Sequence, residues 1–262
     1  MEPVVTSVAN EDENDRAIKG RGTPEAAWQG SEQLATLPEV DPATLVPPGA
    51  RAVIVSPHPD DEILGTGGLL ARLSDLGRKV LIIAVTDGTG SHPDSPEWPA
   101  ARLAATRPQE TRDALQRLRM RHVAMVRLHL PDGGGASFET ELFNALESHL
   151  EPGDVVFGTW RYDGHPDHES VGRAVAAVAG VLDLPFVEVP VWTWHWAMPD
   201  DSRVPWSRAR RIVLDKPTHA RKLHAVQAFH SQIEADGSTG RDAILPAHVL
   251  ERLTRPYEVV LI

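Results

Sequence analysis

The chain of 262 residues contains no cysteine. Disulfides and thiolate metal sites are therefore excluded. Any tightly held metal must use imidazole and carboxylate ligands, for which 12 histidines and 37 acids are present. Aromatic residues are scarce at 5%, so a core must be built mainly from aliphatic side chains. No apolar run approaches the roughly 18–20 residues that span a bilayer. Positive charge is in deficit: 26 Lys and Arg against 37 Asp and Glu leave a formal charge of −11. That balance disfavours a nucleic-acid backbone or an anionic membrane as partner, and a small molecule is expected instead. The opening residues, MEPVVTSVANEDENDR, carry acids where a secretory leader carries basic and then apolar residues, so a cytoplasmic protein is expected. Composition does not decide self-association, and a homo-oligomer stays open.

Residues 1–22 are polar and without period, and read as an unstructured tail. Thr23-Pro24-Glu25 reads as a helix start, with Thr as cap and Pro at the first helical position, and the helix is expected to run to about Ala35. LPEVDPATLVPPGA (37–50) is a Pro-rich connector. Residues 1–50 are thus an acidic tail and docking segment, and residues 51–262 a single domain. From Ala52 strand-like runs alternate with helix-like ones. The strands are AVIVS (52–56), VLIIAVT (80–86), VAMVRLHL (123–130), DVVFGTW (154–160) and PFVEVPVWTW (185–194). The helices fall at 69–77, 107–119, 138–150 and 169–180, and RRIVLD (210–215), a helix over 219–232 and YEVVLI (257–262) follow. Near-continuous aliphatic strands separated by helices predict an α/β fold: three layers, Rossmann-like, with a mostly parallel sheet covered on both faces.

VIVSPHPDDEILGTGG (53–68) places His58, Asp60, Asp61 and Glu62 directly after the first strand. In open parallel sheets ligands bind outside the carboxyl ends of the strands. Gly65, Gly67 and Gly68 do not make a dinucleotide fingerprint, because the third glycine would have to stand where Leu70 stands and the acids would face the pyrophosphate. They serve close strand–helix packing instead. His58 and Asp61 are three apart at a strand-to-helix turn. YDGHPDHES (162–170) supplies His165 and His168 at the same spacing after another strand. Two imidazoles and a carboxylate with an open position suit catalytic zinc or another divalent metal such as Fe2+. A cation would also offset the repulsion among the acids. Alone, Asp60, Asp61 and Glu62 would do no more than favour a helix N-terminus. Two His-Pro-Asp turns, each behind a predicted parallel strand, point to a metal site.

SPHPDDE (56–62) together with GHPDH (164–168) resembles the LmbE-like, or PIG-L, family of zinc-dependent N-acetylglucosaminyl de-N-acetylases, the mycothiol-pathway deacetylase among them. RPQETRDALQRL (107–118), LPDG (130–133) and KLHAVQAFHSQ (222–232) agree in order along the chain. The resemblance implies an LmbE-like fold and zinc held by His58, Asp61 and His168. It implies Asp60 as general base, His165 as oxyanion stabiliser and proton donor, and Asp167 as the acid that orients His165 and raises its pKa. Arg107 and Asp132 match positions that touch sugar hydroxyls. Some members carry Tyr two residues before the first His of the HPDH turn; here that position is Asp163, with Tyr162 one step further away as the candidate to polarise substrate. The activity implied is hydrolytic removal of an N-acetyl group from an N-acetylglucosamine-type sugar conjugate. Alternatives are a metal-dependent amidase for a non-sugar N-acyl compound, or a binding protein on the same fold. Trp192, Trp194 and Trp196 are expected on one face of an extended segment. There they form either a half-buried edge strand or a wall, with Trp194 stacking on the sugar or its apolar substituent. His195 points the other way and is read as structural. His230 lies on a predicted helix and is read as a core or loop anchor, and His122, His129 and His149 as ordinary.

Overall fold

A computed structural model of the protein describes residues 16–121 and 123–262. Residues 1–15 of the predicted tail, and His122, lie outside the described residues. Among the described residues the aliphatic runs form strands β1 (Arg51–Ser56), β2 (Lys79–Thr86), β3 (Val123–Leu130), β4 (Asp154–Thr159), β5 (Phe186–Val189), β6 (Ala209–Val213) and β7 (Tyr257–Leu261). They make one sheet in the order β3-β2-β1-β4-β5-β7-β6. Strands β1 to β5 are parallel, whereas β7 pairs antiparallel with both β5 and β6. The helices are α1 (Glu25–Gln29), α2 (Glu32–Ala35), α3 (Pro42–Leu45), α4 (Asp61–Asp75), α5 (Ala100–Arg117), α6 (Glu139–His149), α7 (Pro166–Leu182), α8 (Thr193–Trp196), α9 (Lys216–Val226), α10 (His230–Ile233) and α11 (Ala247–Leu253).

Side chains alternate across each strand, and both faces are apolar. Val53, Val55, Leu81, Ile83 and Val156 face one cluster, covered by Leu142 and Leu146 of α6 and by Val171, Val175 and Val178 of α7. Ala52, Ile54, Val80, Ile82 and Phe157 face the other, covered by Leu69, Leu70 and Leu73 of α4, Leu115 of α5 and Val226 of α9. The result is the three-layer α/β/α arrangement with a mostly parallel sheet. The chain leads from β1 outward to β2 and β3, then returns to the other side of β1 with β4 and β5. That reversal opens a crevice at the carboxyl ends of β1 and β4, where the two His-Pro-Asp turns emerge. Close approach of α4 to the sheet depends on its glycines: a Cβ at Gly65 would lie 2.7 Å from Val189 Cγ1, and one at Gly68 would overlap Leu214.

Several elements differ from expectation. The helix predicted to reach Ala35 is broken at Gly30, and its cap is Pro24; the Thr23 hydroxyl instead donates to the Ala197 carbonyl. Both α4 and α5 begin earlier than their apolar runs, because Asp61 and the Ala100–Arg107 segment join the helices. The stretch 219–232 divides into α9 and α10. PFVEVPVWTW is a strand only as far as Val189; Pro190 follows, and Thr193–Trp196 is a helical turn. The three tryptophans therefore do not share an extended face. Residues 25–50 pack into the main core through Trp28, Leu34 and Val46. Glu25 and Arg255 form a buried ion pair at 2.7 Å beside Trp28. Among the described residues no helix is long and apolar enough to cross a membrane.

Candidate metal centre and active site

Asp60 is the residue at which β1 becomes α4. Its φ of 143° is strained for any residue but glycine. The surroundings enforce it: its N–H donates to Glu62 Oε2 at 3.1 Å, and its carbonyl accepts the first bonds of α4 from Ile63 and Leu64. Its side chain does not cap the helix. It accepts instead from Arg107 Nη2 at 3.0 Å, and that nitrogen also donates to the Pro59 carbonyl. An acidic run serving only as a helix cap would not aim its leading carboxylate at a buried arginine. Burial raises the pKa of Asp60 to about 7, with Arg107 opposing the rise and Asp61 adding to it.

The two turns converge. His58 Nδ1 lies 3.1 Å from Asp61 Oδ2, and His168 Nε2 lies 3.1 Å from the same oxygen. His168 is fully buried, yet its Nε2 has no hydrogen-bond partner among the described residues. A buried orphan nitrogen so close to a carboxylate fits a shared cation better than a shared proton. Tetrahedral ligands 2.0–2.1 Å from zinc lie roughly 3.3 Å apart, close to the spacing seen here. The far side of each ring is also fixed. His168 Nδ1–H donates to Asp163 Oδ2 at 2.9 Å. His58 Nε2 lies 3.1 Å from Asp167 Oδ2 and 3.2 Å from Asp132 Oδ1. Metal-ligating histidines are oriented by such carboxylates. His58, Asp61 and His168 could therefore hold a metal ion, and their donor set suits zinc or another divalent transition metal. His58, His165 and Asp167 also bring ligand atoms together, but Asp167 there already accepts the Gly133 and Gly135 N–H groups.

His165 caps α7, and its Nδ1 accepts the Asp167 N–H at 3.2 Å. The proton of the neutral ring must then sit on Nε2. Burial, reinforced by His168 and His58, pushes its pKa down to about 3. The implied role of Asp167 changes: its N–H, not its carboxylate, meets His165 Nδ1, the carboxylate lies against His58, and although its charge raises the pKa of His165, burial outweighs it and leaves that ring neutral. Burial alone would also lower His168, but Asp61 and Asp163 outweigh it and raise that ring to about 9.

The site opens into a cleft of about 230 Å³. Arg107 and Asp132 line it as expected, but their polar atoms are largely committed within the protein. Arg107 holds Asp60 and the Gly88 carbonyl, and Asp132 accepts the Gly90 N–H at 2.6 Å and faces His58. Tyr162 is turned out to the surface, 52% exposed, with Arg16 over its ring. Trp194 lies in the core, edge-to-face with Trp28 at 5.2 Å, its Nε1–H donating to the Pro190 carbonyl. The helical turn α8 is the reason; it sends Trp192, not Trp194, to the cleft, where the ring stacks near His165. Ile244, Leu245 and Leu253 complete the apolar side, and nothing in the sequence pattern signalled them. His195 is held by Arg252 and the Lys19 carbonyl. His230 is exposed and pairs with Glu234, so it anchors nothing in the core. Asp163, which in sequence marks a departure from the tyrosine of some relatives, is fully buried between the metal centre and the cleft wall.

The family model described as PIG-L: GlcNAc-PI de-N-acetylase matches residues 53–179, which carry both turns. A Bacillus cereus protein named "Probable N-acetyl-alpha-D-glucosaminyl L-malate deacetylase 2" is 27% identical over 197 residues, covering 71% of this chain and 84% of that protein. The diacetylchitobiose deacetylase of Thermococcus kodakarensis is 31% identical over 146 residues, covering 52% of this chain and 51% of that one. The fold matches a deacetylase of the teicoplanin biosynthesis pathway with a TM-score of 0.61 at 19% identity, over 81% of this chain and 97% of that one. Residues 53–179, just under half of the chain, thus match the PIG-L, or LmbE-like, family, with both motif turns inside the matched segment and the ligand atoms converging as described.

Proposed function

We propose that the protein is a zinc-dependent hydrolase that removes the N-acetyl group from an N-acetylglucosamine-type sugar conjugate. The observation that carries this reading is the convergence of His58, Asp61 and the orphaned Nε2 of His168 beside a non-capping Asp60. A divalent cation in that place supplies Lewis acidity and lowers the pKa of water from 15.7 to about 7. Asp60, buried and held by Arg107 outside the ligand set, takes the proton of the attacking water at its carboxylate. As the water oxygen bonds to the amide carbon, the carbonyl oxygen gains charge, and the Nε2–H of His165 donates to it. His165 does this as a neutral ring, because its Nδ1 is occupied by the Asp167 N–H. The C–N bond then breaks, and the proton held on Asp60 passes to the amine nitrogen, giving acetate and the free amino sugar. Arg107 steadies Asp60 in both protonation states through Pro59 and Gly88. A cleft of about 230 Å³ lies below the 300–1,000 Å³ usual for drug-sized ligands, which favours one sugar unit in the site with the rest of the conjugate outside.

The test is acetate release by the purified, metal-loaded protein from a panel of N-acetylglucosamine conjugates, run beside N-acetylated amino acids and amines. Turnover of the sugar conjugates is expected. Faster turnover of the non-sugar amides, or none at all with one metal bound per chain, overturns the assignment.

A further inference from the structure

Asp163 stands where the sequence departs from the tyrosine of some relatives, and the reaction outlined above does not use it. Its carboxylate is fully buried and receives five donors. Oδ1 accepts from the N–H of Val191 at 3.0 Å, the N–H of Thr193 at 2.9 Å and the Thr193 hydroxyl at 2.6 Å. Oδ2 accepts from the N–H of Trp192 at 2.9 Å and from His168 Nδ1–H at 2.9 Å. A single side chain thus meets a ring of the metal centre and three successive residues of the segment that carries Trp192 into the cleft. The Trp196 Nε1–H donates to the Asp163 carbonyl at 2.8 Å and closes the connection from the other end of α8. Within this arrangement, resting on the metal-dependent reading above, we infer that Asp163 is a positioning residue with two linked duties. It keeps the proton of His168 on Nδ1, so that Nε2 is presented bare to the metal, and it sets the cleft wall at Trp192 against that same centre.

The physical reason is directional. Carboxylate oxygens only accept, so any hydrogen facing Asp163 must come from its neighbours. All five neighbours are donors here. Asparagine has the same shape but one end is a donor. Turning its NH2 toward Val191 and Thr193 would set it against three donors. Turning it toward His168 and Trp192 sets it against two, so the second orientation is preferred. His168 Nδ1 must then act as acceptor, which moves the ring proton to Nε2, the atom that should ligate. Asp163→Asn therefore opposes metal binding through the tautomer of a neighbouring ring while leaving volume unchanged.

Three measurements separate this role from simple structural support. Zinc affinity of wild type and Asp163→Asn is measured by competition with a chelator. The loss of an outer carboxylate is expected to weaken binding about 10–100-fold. Thr193→Val removes a donor from Oδ1 without touching the oxygen at His168. It should raise KM for the hydrolysed conjugate while zinc affinity stays within about twofold of wild type. The 15N spectrum of zinc-loaded wild type reports the ring directly: His168 should show a protonated Nδ1 and a metal-bound Nε2, a result that needs no variant to fold. Wild-type zinc affinity in Asp163→Asn overturns the role, as does an equal loss in Thr193→Val or ligation through Nδ1. Failure of wild type itself to bind zinc overturns the metal-dependent reading and this role with it. Zinc bound by wild type without hydrolysis of any conjugate overturns the assigned reaction and leaves the positioning role standing on affinity and spectrum.

Discussion

The carboxylate of Asp60 meets Arg107 and not the helix that follows it, and its backbone is held at a φ that only a strongly enforced turn maintains. His165 likewise has one nitrogen closed by the Asp167 N–H and the other left to the cleft. Neither belongs to the His58, Asp61 and His168 set, so loss of either should separate chemistry from metal binding. Asp60→Asn is expected to lower kcat by about 10²–10⁴, the usual contribution of a general base. His165→Ala is expected to lower it by about 10²–10³, the usual contribution of one oxyanion donor. Both variants should retain one metal per chain by elemental analysis. Metal loss in step with activity in either variant would contradict these assignments.

At the scale of elements, α7 carries both His165 and His168 at its start, so their aim depends on how closely that helix lies against β4. Gly172 makes the approach possible: a Cβ there would sit 2.5 Å from the Thr159 carbonyl oxygen and 2.7 Å from the Arg161 nitrogen. These are backbone atoms and cannot turn aside as a side chain would. Gly172→Ala should cost stability near the upper end of the ~1–3 kcal/mol typical of overpacking, and should weaken metal binding as α7 lifts. Denaturant unfolding checks the first; an unchanged midpoint would show that the helix has room. The same elements show what was legible beforehand. Strands buried on both faces read as unbroken aliphatic runs, so the parallel sheet and the loops at its edge were recoverable from pattern. The spacing of His58 and Asp61 within one turn, and of His165 and His168 within another, could be read from the sequence too, but not the distance between the two turns. Contacts between distant segments were not recoverable. Nothing local to VWTWHW shows that Asp163 gathers the N–H groups of residues 191–193 and winds them into α8, or that Trp28 awaits Trp194 in the core. Arg107 could be placed at the cleft by resemblance, but its bond to Asp60 spans 47 residues and leaves no trace in spacing.

Over the whole molecule, the acids that give the chain its charge of −11 include a knot in the crevice, where Asp60, Asp61, Asp163 and Asp167 are all buried. Without a cation, His58 and His168 must supply the compensating charge as imidazolium. Burial works against that state, yet Asp61 and Asp163 raise His168 to about 9, and Asp132, Asp167 and Asp61 raise His58 as well. A histidine raised in the folded state stabilises fully below its unfolded value of about 6.5, and that stability disappears as pH climbs through the folded value. The metal-free protein should therefore lose stability between pH ~6.5 and ~9, on the order of 3 kcal/mol from His168 alone. The loaded protein needs both rings deprotonated where they ligate, so rising pH strengthens rather than weakens its hold on the metal. Thermal unfolding in excess chelator should give a Tm that falls by several degrees from pH 6.5 to 9, while the zinc-saturated Tm falls less, so that the two curves spread apart with pH. Curves that stay parallel, or that converge, would mean that these histidines do not carry the charge that holds the crevice together.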